Sequence, residues 1–331
     1  MERGREEERR TRMGFKMVIV PPNTQPDWPQ KIRAAVPDCE VQMFESAEAA
    51  MDAIVDADAA YGNIGPELLR RAGKLRWIQA PAAAPPAGYY YKELIESNVV
   101  VTNQREIYND HIGAHIMAFI LAFARGLHRY IPHQLQRQWR PNGVEPVIHL
   151  PEATALIIGV GGIGGEAARL CAALGMTVVG VDARRTEAPP SVKELRRPPD
   201  LHTLLPQADF VVMTVPHTPE TRGMMATREF QLMKTTAFLI NIGRGACVVL
   251  DDLVAALRAG KIAGAGLDVY EIEPLPTDHP LWTMPGVLLT PHVAGVGPYL
   301  QERRTELLLE NCQRFNEGRP LHNVVDKTYW F

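Results

Sequence analysis

One stretch near the middle of the chain constrains the fold more than any other segment. Residues 154–166 read TALIIGVGGIGGE, a short apolar run followed by glycines in G-x-G-x-x-G spacing. The glycines of that pattern are Gly159, Gly161 and Gly164. An amphipathic run follows and stops at Gly175, and a second apolar run then ends at Asp182. This order predicts a strand, a tight turn, a helix and a second strand with an acidic tip.

The spacing of these glycines suits the binding of a dinucleotide. Gly159 allows the tight turn, Gly161 lets a pyrophosphate approach the backbone, and Gly164 lets the helix pack close to the strand. The helix N-terminus offers free N–H groups and a partial positive charge to the phosphates. The Asp182 carboxylate can accept hydrogen bonds from both ribose hydroxyls. A structural glycine turn is the alternative, but it requires neither the second strand nor the acidic tip.

The rest of the chain alternates between short strands and helices. Strands are predicted at 15–20, 41–44, 59–61, 76–79, 99–102, 209–215, 237–241, 264–268 and 287–290. Such alternation predicts parallel α/β sheets, and 331 residues are enough for two domains. We expect a charged tail at 1–14, a substrate domain built from 15–108 and 299–331, and a dinucleotide-binding domain at 109–298. The segment 183–200 is rich in Pro and Arg, which predicts a loop.

The composition excludes several other classes of protein. The formal net charge is −3 and no basic face is evident, so nothing indicates a nucleic-acid partner. No apolar run reaches the length that spans a membrane. The cysteines are widely spaced without a C-x-x-C pair, which indicates buried thiols in a reducing compartment such as the cytoplasm, without disulfides or zinc. They are Cys39, Cys171, Cys247 and Cys312.

The loop after the fourth predicted strand is unusual, because it reads APAAAPPAG over residues 80–88. Its prolines lack N–H groups, whereas Ala82, Ala83 and Ala84 could offer theirs to an anion. Their small side chains leave room for a ligand near the backbone. A surface linker is the alternative interpretation of the same residues.

Residues 109–139 form a long, largely helical region, with a kink or break expected at Pro132. Its broad apolar face predicts burial between domains or subunits. His111 and His115 lie one turn apart, as metal ligands can, but without a third ligand we expect packed or capping histidines and no metal. The basic residues Arg125, His128, Arg129 and His133 are expected to form a solvated face.

Three polar residues follow three successive strands of the second domain. Arg244 follows FLINIG, Glu273 follows the strand GAGLDVY, and His292 follows VLLTP. Because ligands of an open α/β sheet bind beyond the carboxyl ends of its strands, we expect all three near the reactive end of a dinucleotide. Arg244 could bind the carboxylate of a substrate, and the carboxylate of Glu273 would favour the protonated form of the His292 imidazole. These groups suit hydride transfer at C2 of a 2-oxo or 2-hydroxy acid. Considered separately, Arg244 and Glu273 could form a structural ion pair, and His292 could be a histidine at the end of a strand.

Several motifs together resemble those of the D-isomer-specific 2-hydroxyacid dehydrogenases, which include glyoxylate/hydroxypyruvate reductases and phosphoglycerate dehydrogenases. The matching segments are 159–164 (GVGGIG), 215–222 (VPHTPETR), 241–245 (NIGRG), 267–275 (LDVYEIEPL) and 290–295 (TPHVAG). The resemblance spans roughly residues 57–326. It implies two doubly wound α/β lobes, a Rossmann NAD-binding domain and a flavodoxin-like substrate domain built from both chain ends. It also implies a homodimer joined through the cofactor domain. The loop at 80–86 departs from the family pattern, which leaves the identity of the substrate open.

The resemblance further implies roles for individual residues. Arg244 would bind the substrate, His292 would be the acid/base, and Glu273 would be the partner of His292. Besides Arg244, His292 and the three glycines, cofactor contacts are implied for Gly162, Ile163, Asp182, Thr214, Val215, Pro216, Thr221, Ile242, Gly243 and Asp268. Trp139 occupies the position of a residue that, in glyoxylate reductase-like members, reaches the substrate pocket of the partner subunit.

The acidic tip of the second strand also bears on the choice of cofactor. Asp182 should repel a 2′-phosphate and accept hydrogen bonds from the 2′-OH, which favours NAD. Arg184 and Arg185 follow closely and could accommodate the phosphate of NADP if Asp182 turned away. Two alternatives to the 2-hydroxyacid dehydrogenase remain, an NAD-sensing binding protein of the same fold and a phosphite-type dehydrogenase. Glu273 argues against formate, because formate dehydrogenases of the family carry Gln there.

Overall fold

The computed structural model describes residues 14–83, 88–140 and 147–328. The chain divides into two compact units. The first unit comprises the chain up to Ile107 together with the chain from Pro298 onward, and the second comprises Tyr108–Gly297. The predicted charged tail lies outside the described residues except for Gly14.

The first unit is built on a five-stranded parallel sheet. Its strands are β1 (Lys16–Ile19), β2 (Glu40–Met43), β3 (Ala59–Tyr61), β4 (Trp77–Gln79) and β5 (Val100–Thr102). They lie in the order β2-β1-β3-β4-β5, and all neighbouring strands are parallel. This is the flavodoxin-like order that was predicted, and it places the loops after β1, β4 and β5 at one edge of the sheet.

Helices cover both faces of this sheet. The α-helices are Trp28–Ala35, Pro66–Arg71, Lys92–Glu96 and Leu300–Asn316, and 3₁₀ helices lie at Glu48–Ala50 and Ala53–Asp56. Because side chains alternate along a strand, Val18 packs into one core cluster and Ile19 into the other. Near the chain end, Val324 bridges to Thr102 and Val325 is buried in the first of these clusters. The C-terminal segment therefore completes the unit in which the chain began.

The second unit is built on a seven-stranded parallel sheet. Its strands are β6 (Thr154–Ile158), β7 (Thr177–Val181), β8 (Glu194–Arg196), β9 (Phe210–Met213), β10 (Phe238–Asn241), β11 (Gly264–Leu267) and β12 (Val287–Leu289). Their order is β12-β11-β10-β9-β6-β7-β8. This is the doubly wound Rossmann arrangement with one additional edge strand, and its order reverses between β6 and β9. The predicted fold class is confirmed.

The prediction of a loop over residues 183–200 is wrong at residues 194–196, and a 3₁₀ helix, Pro198–Asp200, lies at the end of the segment. Residues 194–196 pair in parallel with residues 179–181 and form the edge strand β8. This strand has three residues and none of them is fully buried. Three residues are too few for the apolar run, or for the alternation of apolar and polar residues, that would mark a strand in the sequence.

Helices cover both faces of the second sheet as well. The α-helices are Asn109–Ala124, Leu127–Leu135, Gly162–Ala173, Leu201–Leu204, Thr227–Leu232 and Leu250–Arg258, and 3₁₀ helices lie at Leu150–Glu152, Pro198–Asp200, Leu205–Gln207, Gly245–Cys247 and Pro280–Thr283. Along β6, Ile158 faces one core cluster and Ile157 faces the other. The broad apolar face of the first of these helices was expected between domains or subunits. Part of this face packs against the sheet of its own unit, where Phe123 stacks on Phe238 at 4.4 Å between ring centroids.

The long helical region breaks at Gly126, and the prediction of a break at Pro132 is wrong. Gly126 has φ 70°, in the left-handed region that favours glycine, so the first helix ends there. Pro132 lies inside the second helix, which continues to Leu135 although the proline cannot donate to the carbonyl of His128. His128 itself is buried, so the prediction of a solvated basic face is also wrong at this residue.

All four cysteines are buried free thiols, as predicted. Burial raises the pKa of Cys39 and of Cys171 to about 12, so neither thiol is a nucleophile at neutral pH. Across residues 14–83, 88–140 and 147–328, no helix has both the length and the apolar character needed to cross a membrane. In the same ranges, His, Cys, Asp and Glu side chains form no group of three that could hold a metal ion.

Candidate active site

The glycine motif forms a tight turn between β6 and the helix that begins at Gly162. Gly159 has φ 91°, a conformation that other residues rarely adopt. A Cβ at Gly164 would lie 1.8 Å from the carbonyl oxygen of Gly159, so only glycine lets the helix approach the turn this closely. Gly161 is the N-cap, and the N–H groups of Gly162 and Ile163 have no intrahelical acceptor. The turn therefore fits the pyrophosphate of a dinucleotide.

Asp182 follows β7 directly and bonds to the glycine turn. Its Oδ2 accepts the N–H of Val160 at 2.7 Å, and its Oδ1 accepts the N–H groups of Arg184 and Arg185, both at 2.8 Å. Burial opposes ionisation, but these donors outweigh it and hold the pKa of the carboxyl below its ordinary value. Arg197 donates to the Asp182 carbonyl oxygen at 3.2 Å. An ionised carboxylate with three arginines close by thus lies where a ribose would bind.

The sheet order reverses between β6 and β9, and further predicted cofactor residues lie at this switch point. Thr214 donates from Oγ1 to the carbonyl of the first motif glycine at 2.6 Å. Val215 follows, and a Cβ at Gly243 would lie 2.6 Å from its carbonyl oxygen. Thr221 donates to the Pro216 carbonyl at 2.6 Å and closes the loop after β9. The ends of β6, β9 and β10 therefore meet around one small space, as dinucleotide sites of this fold require.

Arg244 leaves β10 through a tight turn that Asn241 holds together. The Asn241 side chain accepts the N–H of Gly243 and donates to the carbonyl of Arg244, both at 3.1 Å. A Cβ at Gly245 would lie 1.9 Å from the backbone of Tyr270, so glycine is required for this close approach. The turn thereby brings Arg244 next to the loop that carries Glu273.

The guanidinium of Arg244 is partly buried and donates from NH1 to the Gly243 carbonyl at 2.6 Å. Burial lowers the pKa of Arg244, while interactions with Cys247 and with Glu273 oppose that effect. Since an arginine stays protonated in proteins, the side chain is a permanent cation near Glu273. Ile242, predicted to contact the cofactor, is buried, and its N–H extends the ladder between β10 and β9.

Glu273 and His292 form a hydrogen-bonded pair. Nδ1 of His292 lies 2.7 Å from Oε2 of Glu273, and Oε1 of Glu273 accepts the Tyr270 N–H at 2.9 Å. The histidine side chain is 51% exposed, and no described residue bonds to its Nε2. The pair can therefore hold a proton at Nδ1 while Nε2 exchanges one with a ligand.

Asp268 braces the backbone around His292. His292 has φ 55°, in the left-handed region that residues other than glycine rarely adopt. The buried Asp268 carboxylate accepts the N–H groups of Val293 and Ala294, both at 2.9 Å, and the hydroxyl of Thr290 at 2.6 Å. These bonds hold the turn that presents the imidazole, in addition to the cofactor contact that the family resemblance implies for this residue.

Two residues that stabilise this turn through hydrogen bonds were not predicted to belong to the site. His115 Nε2 lies 3.0 Å from Thr290 Oγ1, which agrees with the expectation of a packed histidine. The Tyr270 hydroxyl donates to the carbonyls of Leu267 and Thr290, at 3.0 and 2.9 Å. Burial raises the pKa of Tyr270 well above its ordinary value, so this donor keeps its proton. In the sequence, Tyr270 is marked by its position after β11 and by the segment 267–275 that resembles the family.

The predicted anion-binding loop follows β4 in the first unit. The N–H groups of Ala82 and Ala83 bond to no acceptor among the residues that the structure describes, and both residues are partly buried. Their carbonyl oxygens are engaged, by the N–H of Gln104 at 3.4 Å and by Nδ2 of Asn103 at 2.8 Å. Ala84 lies outside the described residues.

Trp139 lies apart from the other predicted residues of its unit. Its side chain is 92% exposed, and it lines a cavity of about 590 Å³ beside the helix Leu127–Leu135. Within the described residues, no hydrogen bond or ring contact joins it to Arg244, Glu273 or His292.

Comparisons with known sequences agree with this geometry. The family model "D-isomer specific 2-hydroxyacid dehydrogenase, NAD binding domain" matches residues 117–294. A glyoxylate reductase of Thermococcus gammatolerans is 34% identical over 243 residues, which cover 71% of this chain and 72% of that protein. A hydroxypyruvate reductase of Blautia hydrogenotrophica is 30% identical over 291 residues, which cover 85% of this chain and 88% of that protein.

Solved structures are similar over almost the whole chain. A D-isomer specific 2-hydroxyacid dehydrogenase from Xanthobacter autotrophicus Py2, in complex with NADPH and MES, has a TM-score of 0.85 at 27% identity and covers 96% of this chain and 100% of that one. An NADPH-dependent glyoxylate/hydroxypyruvate reductase from Sinorhizobium meliloti, in complex with NADP and sulfate, has a TM-score of 0.81 at 27% identity with the same coverage. This chain therefore belongs to the D-isomer specific 2-hydroxyacid dehydrogenase family and is an NAD(P)-dependent oxidoreductase.

Proposed function

We propose that this protein reduces a small 2-oxo acid to the D-2-hydroxy acid with His292 as the proton donor, and catalyses the reverse reaction with His292 as the base. The observation that carries this proposal is the pair of His292 and Glu273, whose Nδ1 and Oε2 lie 2.7 Å apart. The pair follows strands of the same sheet that carries Arg244 and the glycine turn. Hydride transfer at C2 needs this set of groups: a proton donor, a cation for the carboxylate and a dinucleotide site.

Each residue of the pair and its neighbours has a separate task in this scheme. Bound NAD(P)H supplies the hydride that C2 receives. Arg244 binds the carboxylate of the substrate and polarises the neighbouring carbonyl. His292 gives its Nε2 proton to the oxygen on C2 as negative charge develops there. Glu273 holds the ring through Nδ1, and the Tyr270 N–H keeps the carboxylate in place.

The first unit contributes backbone donors in this proposal. The N–H groups of Ala82 and Ala83, with that of Ala84 as a third, bind the anionic end of the substrate. None of these alanines has a side chain that could select a particular C3 substituent. The names of the relatives, glyoxylate reductase and hydroxypyruvate reductase, make glyoxylate and hydroxypyruvate the first substrates to test.

We further propose NAD as the preferred cofactor. The lowered pKa of Asp182 keeps its carboxylate ionised, and Oδ2 still has a lone pair for a ribose hydroxyl beside its bond from Val160. A 2′-phosphate would meet this fixed negative charge. The solved relatives with bound NADPH or NADP are a reason to assay both cofactors, as are Arg184 and Arg185.

An unpartnered apolar face supports a homodimer through the NAD-binding unit. On the helix Leu127–Leu135, the residues Leu127, Ile131 and Leu135 recur every four positions and are 47%, 48% and 80% exposed. We propose that a second copy covers this face and that Trp139 of one subunit helps to bind the substrate of the other. Sedimentation of Ile131→Glu should give a monomer. Leu174→Glu, at a leucine 42% exposed beyond another helix, should remain a dimer.

The proposal is tested by measuring the oxidation of NADH and of NADPH with a panel of 2-oxo acids. A separate assay measures the reduction of NAD⁺ with phosphite. We expect turnover of a small 2-oxo acid that prefers NADH, and a fall of about 10²- to 10⁴-fold in kcat for His292→Ala. Fluorescence titration should show that the variant still binds NADH. Tight NADH binding without turnover of any compound would favour an NAD-sensing binding protein. Turnover of phosphite alone would favour a phosphite-type dehydrogenase.

A further inference from the structure

Three side chains of the helix Asn109–Ala124 lie against β11 and the loop after β12, at a spacing of four residues that places them on one face. They are His111, His115 and Phe119. A Cβ at Gly297 would lie 2.6 Å from the ring of His111, and a Cβ at Gly266 would lie 2.8 Å from the ring of Phe119. Glycine at both positions thus lets the helix lie this close on either side of His115.

The hydrogen bond between His115 and Thr290 has one direction. The Thr290 hydroxyl donates its single hydrogen to Oδ1 of Asp268, at 2.6 Å. Its oxygen therefore accepts from Nε2 of His115, 3.0 Å away, and the imidazole carries a proton on that nitrogen. The ring also packs edge-on against Phe119, with 5.0 Å between the ring centroids and 86° between the planes. These contacts fix both the donor atom and the plane of the His115 ring.

The chain of hydrogen bonds continues to the two peptide groups that follow His292. Asp268 accepts the N–H groups of Val293 and Ala294, both at 2.9 Å, and is 1% exposed. Among the residues that the structure describes, no lysine or arginine nitrogen lies within 4.0 Å of its carboxylate, whereas Nε2 of His115 lies at 4.0 Å. The position of this buried carboxylate therefore depends on its hydrogen-bond donors.

The backbone at His292 needs such support. Its φ of 55° lies in the left-handed region, which a residue with a side chain occupies only where its surroundings hold it there. Thr290 supports this turn in two ways. Its carbonyl accepts the N–H of His292 at 3.1 Å and the hydroxyl of Tyr270 at 2.9 Å, while its hydroxyl bonds to Asp268. The hydroxyl is the part that His115 holds.

We infer that His115 is a positioning residue for the acid/base His292: its Nε2 proton orients the Thr290 hydroxyl toward Asp268, and Asp268 holds the backbone that presents the imidazole. This inference rests on the proposed role of His292 as the proton donor. His115 touches neither the substrate nor the reacting atoms in this scheme. Its loss should lower kcat and spare the affinity for NADH, because the glycine turn and Asp182 are unchanged.

The experiment compares His115→Gln with His115→Asn, measuring kcat with glyoxylate, KM for NADH and thermal unfolding. Both variants place an amide at the same position of the helix, but only glutamine is long enough to put an N–H near the place of the imidazole Nε2. We expect His115→Gln to keep kcat within about twofold of wild type and His115→Asn to lower it about three- to tenfold, as for the loss of one hydrogen bond. KM for NADH should stay within about twofold of wild type in both. Equal kcat values for the two variants would overturn the inference.

His202→Asn is a matched control for the loss of a bonded imidazole. His202 lies on the helix Leu201–Leu204 of the same unit, and its Nε2 lies 2.8 Å from Oε1 of Glu229. Glu229 in turn accepts a backbone N–H, that of Ala226, at 3.1 Å. We expect this variant to lose thermal stability as His115→Asn does, with kcat within about twofold of wild type. An equal fall of kcat in both asparagine variants would trace the effect to destabilisation and overturn the inference.

A double-mutant cycle tests whether His115 acts through Thr290. In Thr290→Val the hydroxyl is absent, so adding His115→Asn should lower kcat by no more than about twofold further. Two effects on kcat that multiply in the double variant would show that His115 acts by another route and would overturn the inference.

Amide hydrogen exchange, followed by NMR, distinguishes failure of the inference from failure of the proposed function. The N–H groups of Val293 and Ala294 should exchange faster in His115→Asn than in wild type or in His202→Asn. Equal exchange in the three proteins overturns the inference and leaves the proposed function intact. A wild type that turns over no 2-oxo acid overturns the proposed function, whereas faster exchange confined to His115→Asn still supports His115 as the residue that holds this turn.

Discussion

Nδ1 of His292 lies 2.7 Å from Oε2 of Glu273, at hydrogen-bond distance across 19 residues of sequence. The second oxygen of the carboxylate is held by the Tyr270 N–H, and the backbone after the histidine is held by Asp268. The imidazole is therefore fixed at one nitrogen, while none of the residues that the structure describes bonds to the other. Under the proposed function, this arrangement gives proton transfer one direction, and it leads to the first prediction.

Glu273→Gln should lower kcat about 10- to 100-fold while leaving the affinity for NADH unchanged. The amide keeps the shape and can still contact the ring, but it cannot stabilise the positive charge of an imidazolium. Steady-state kinetics with glyoxylate and fluorescence titration with NADH measure the two effects. A kcat equal to that of wild type would mean that Glu273 is only a structural partner.

Arg244→Lys should raise the KM for the 2-oxo acid about 10- to 100-fold, because an ammonium cannot replace a planar fork of two donors at a carboxylate. The positive charge is retained, so a simple loss of electrostatic attraction is excluded as the cause. The control is Arg258→Lys, at the end of the helix Leu250–Arg258. Equal KM values for the two variants would contradict a substrate contact at Arg244.

Asp182→Ser should shift the preference from NADH toward NADPH. The substitution removes the charge that would repel a 2′-phosphate, and Arg184 and Arg185 stay next to the site. We expect the ratio of kcat/KM for NADPH to that for NADH to rise at least about tenfold. If this ratio does not change, Asp182 does not face the 2′ position of the ribose, and the choice of cofactor must depend on other residues.

The same carboxylate should contribute to stability in a pH-dependent way. The pKa of Asp182 is lowered in the folded protein, so its ionised form stabilises the fold above the ordinary pKa of an aspartate, about 3.9. That contribution is lost as the pH falls through the lower, folded pKa. Asp182→Asn should therefore cost about 1 kcal/mol of unfolding free energy at pH 7, since the group is only partly buried.

Urea denaturation of wild type and of Asp182→Asn at pH 7, 5 and 3 measures this difference. The gap between the two proteins should be constant from pH 7 to 5 and should narrow toward pH 3. A gap that widens on acidification would show that the sign of the pKa shift is wrong.

The two sheets could be predicted from the sequence because buried parallel strands leave continuous apolar runs. β8 could not, since its three residues lie at an edge and include Glu194 and Arg196. The helix break was placed at Pro132 on the general rule for proline, whereas Gly126 with its left-handed φ ends the first helix. Pro132, the sixth residue of its helix, removes one hydrogen bond of the helix, and local sequence alone does not rank that cost against a glycine nearby.

The candidate site of Arg244, Glu273 and His292 could be proposed from chain order, because residues that follow parallel strands meet at one edge of the sheet. The hydrogen bonds that orient individual side chains and loops could not be predicted. Asn103 and Ala83 are twenty residues apart, and their contact depends on how the loops after β4 and β5 meet. The hydrogen bonds from the backbone N–H groups of Arg184 and Arg185 to Asp182 could not be predicted either, although the sequence points to all three residues.

The most direct test of the central claim is the fate of the hydride. The protein is incubated with glyoxylate or hydroxypyruvate and with NADH in which deuterium replaces both hydrogens at C4 of the nicotinamide ring. The 2-hydroxy acid is then analysed by mass spectrometry. The account predicts one deuterium on C2 of the product, with the D configuration for the glycerate formed from hydroxypyruvate. Product without deuterium at C2, or glycerate of the L configuration, would contradict it.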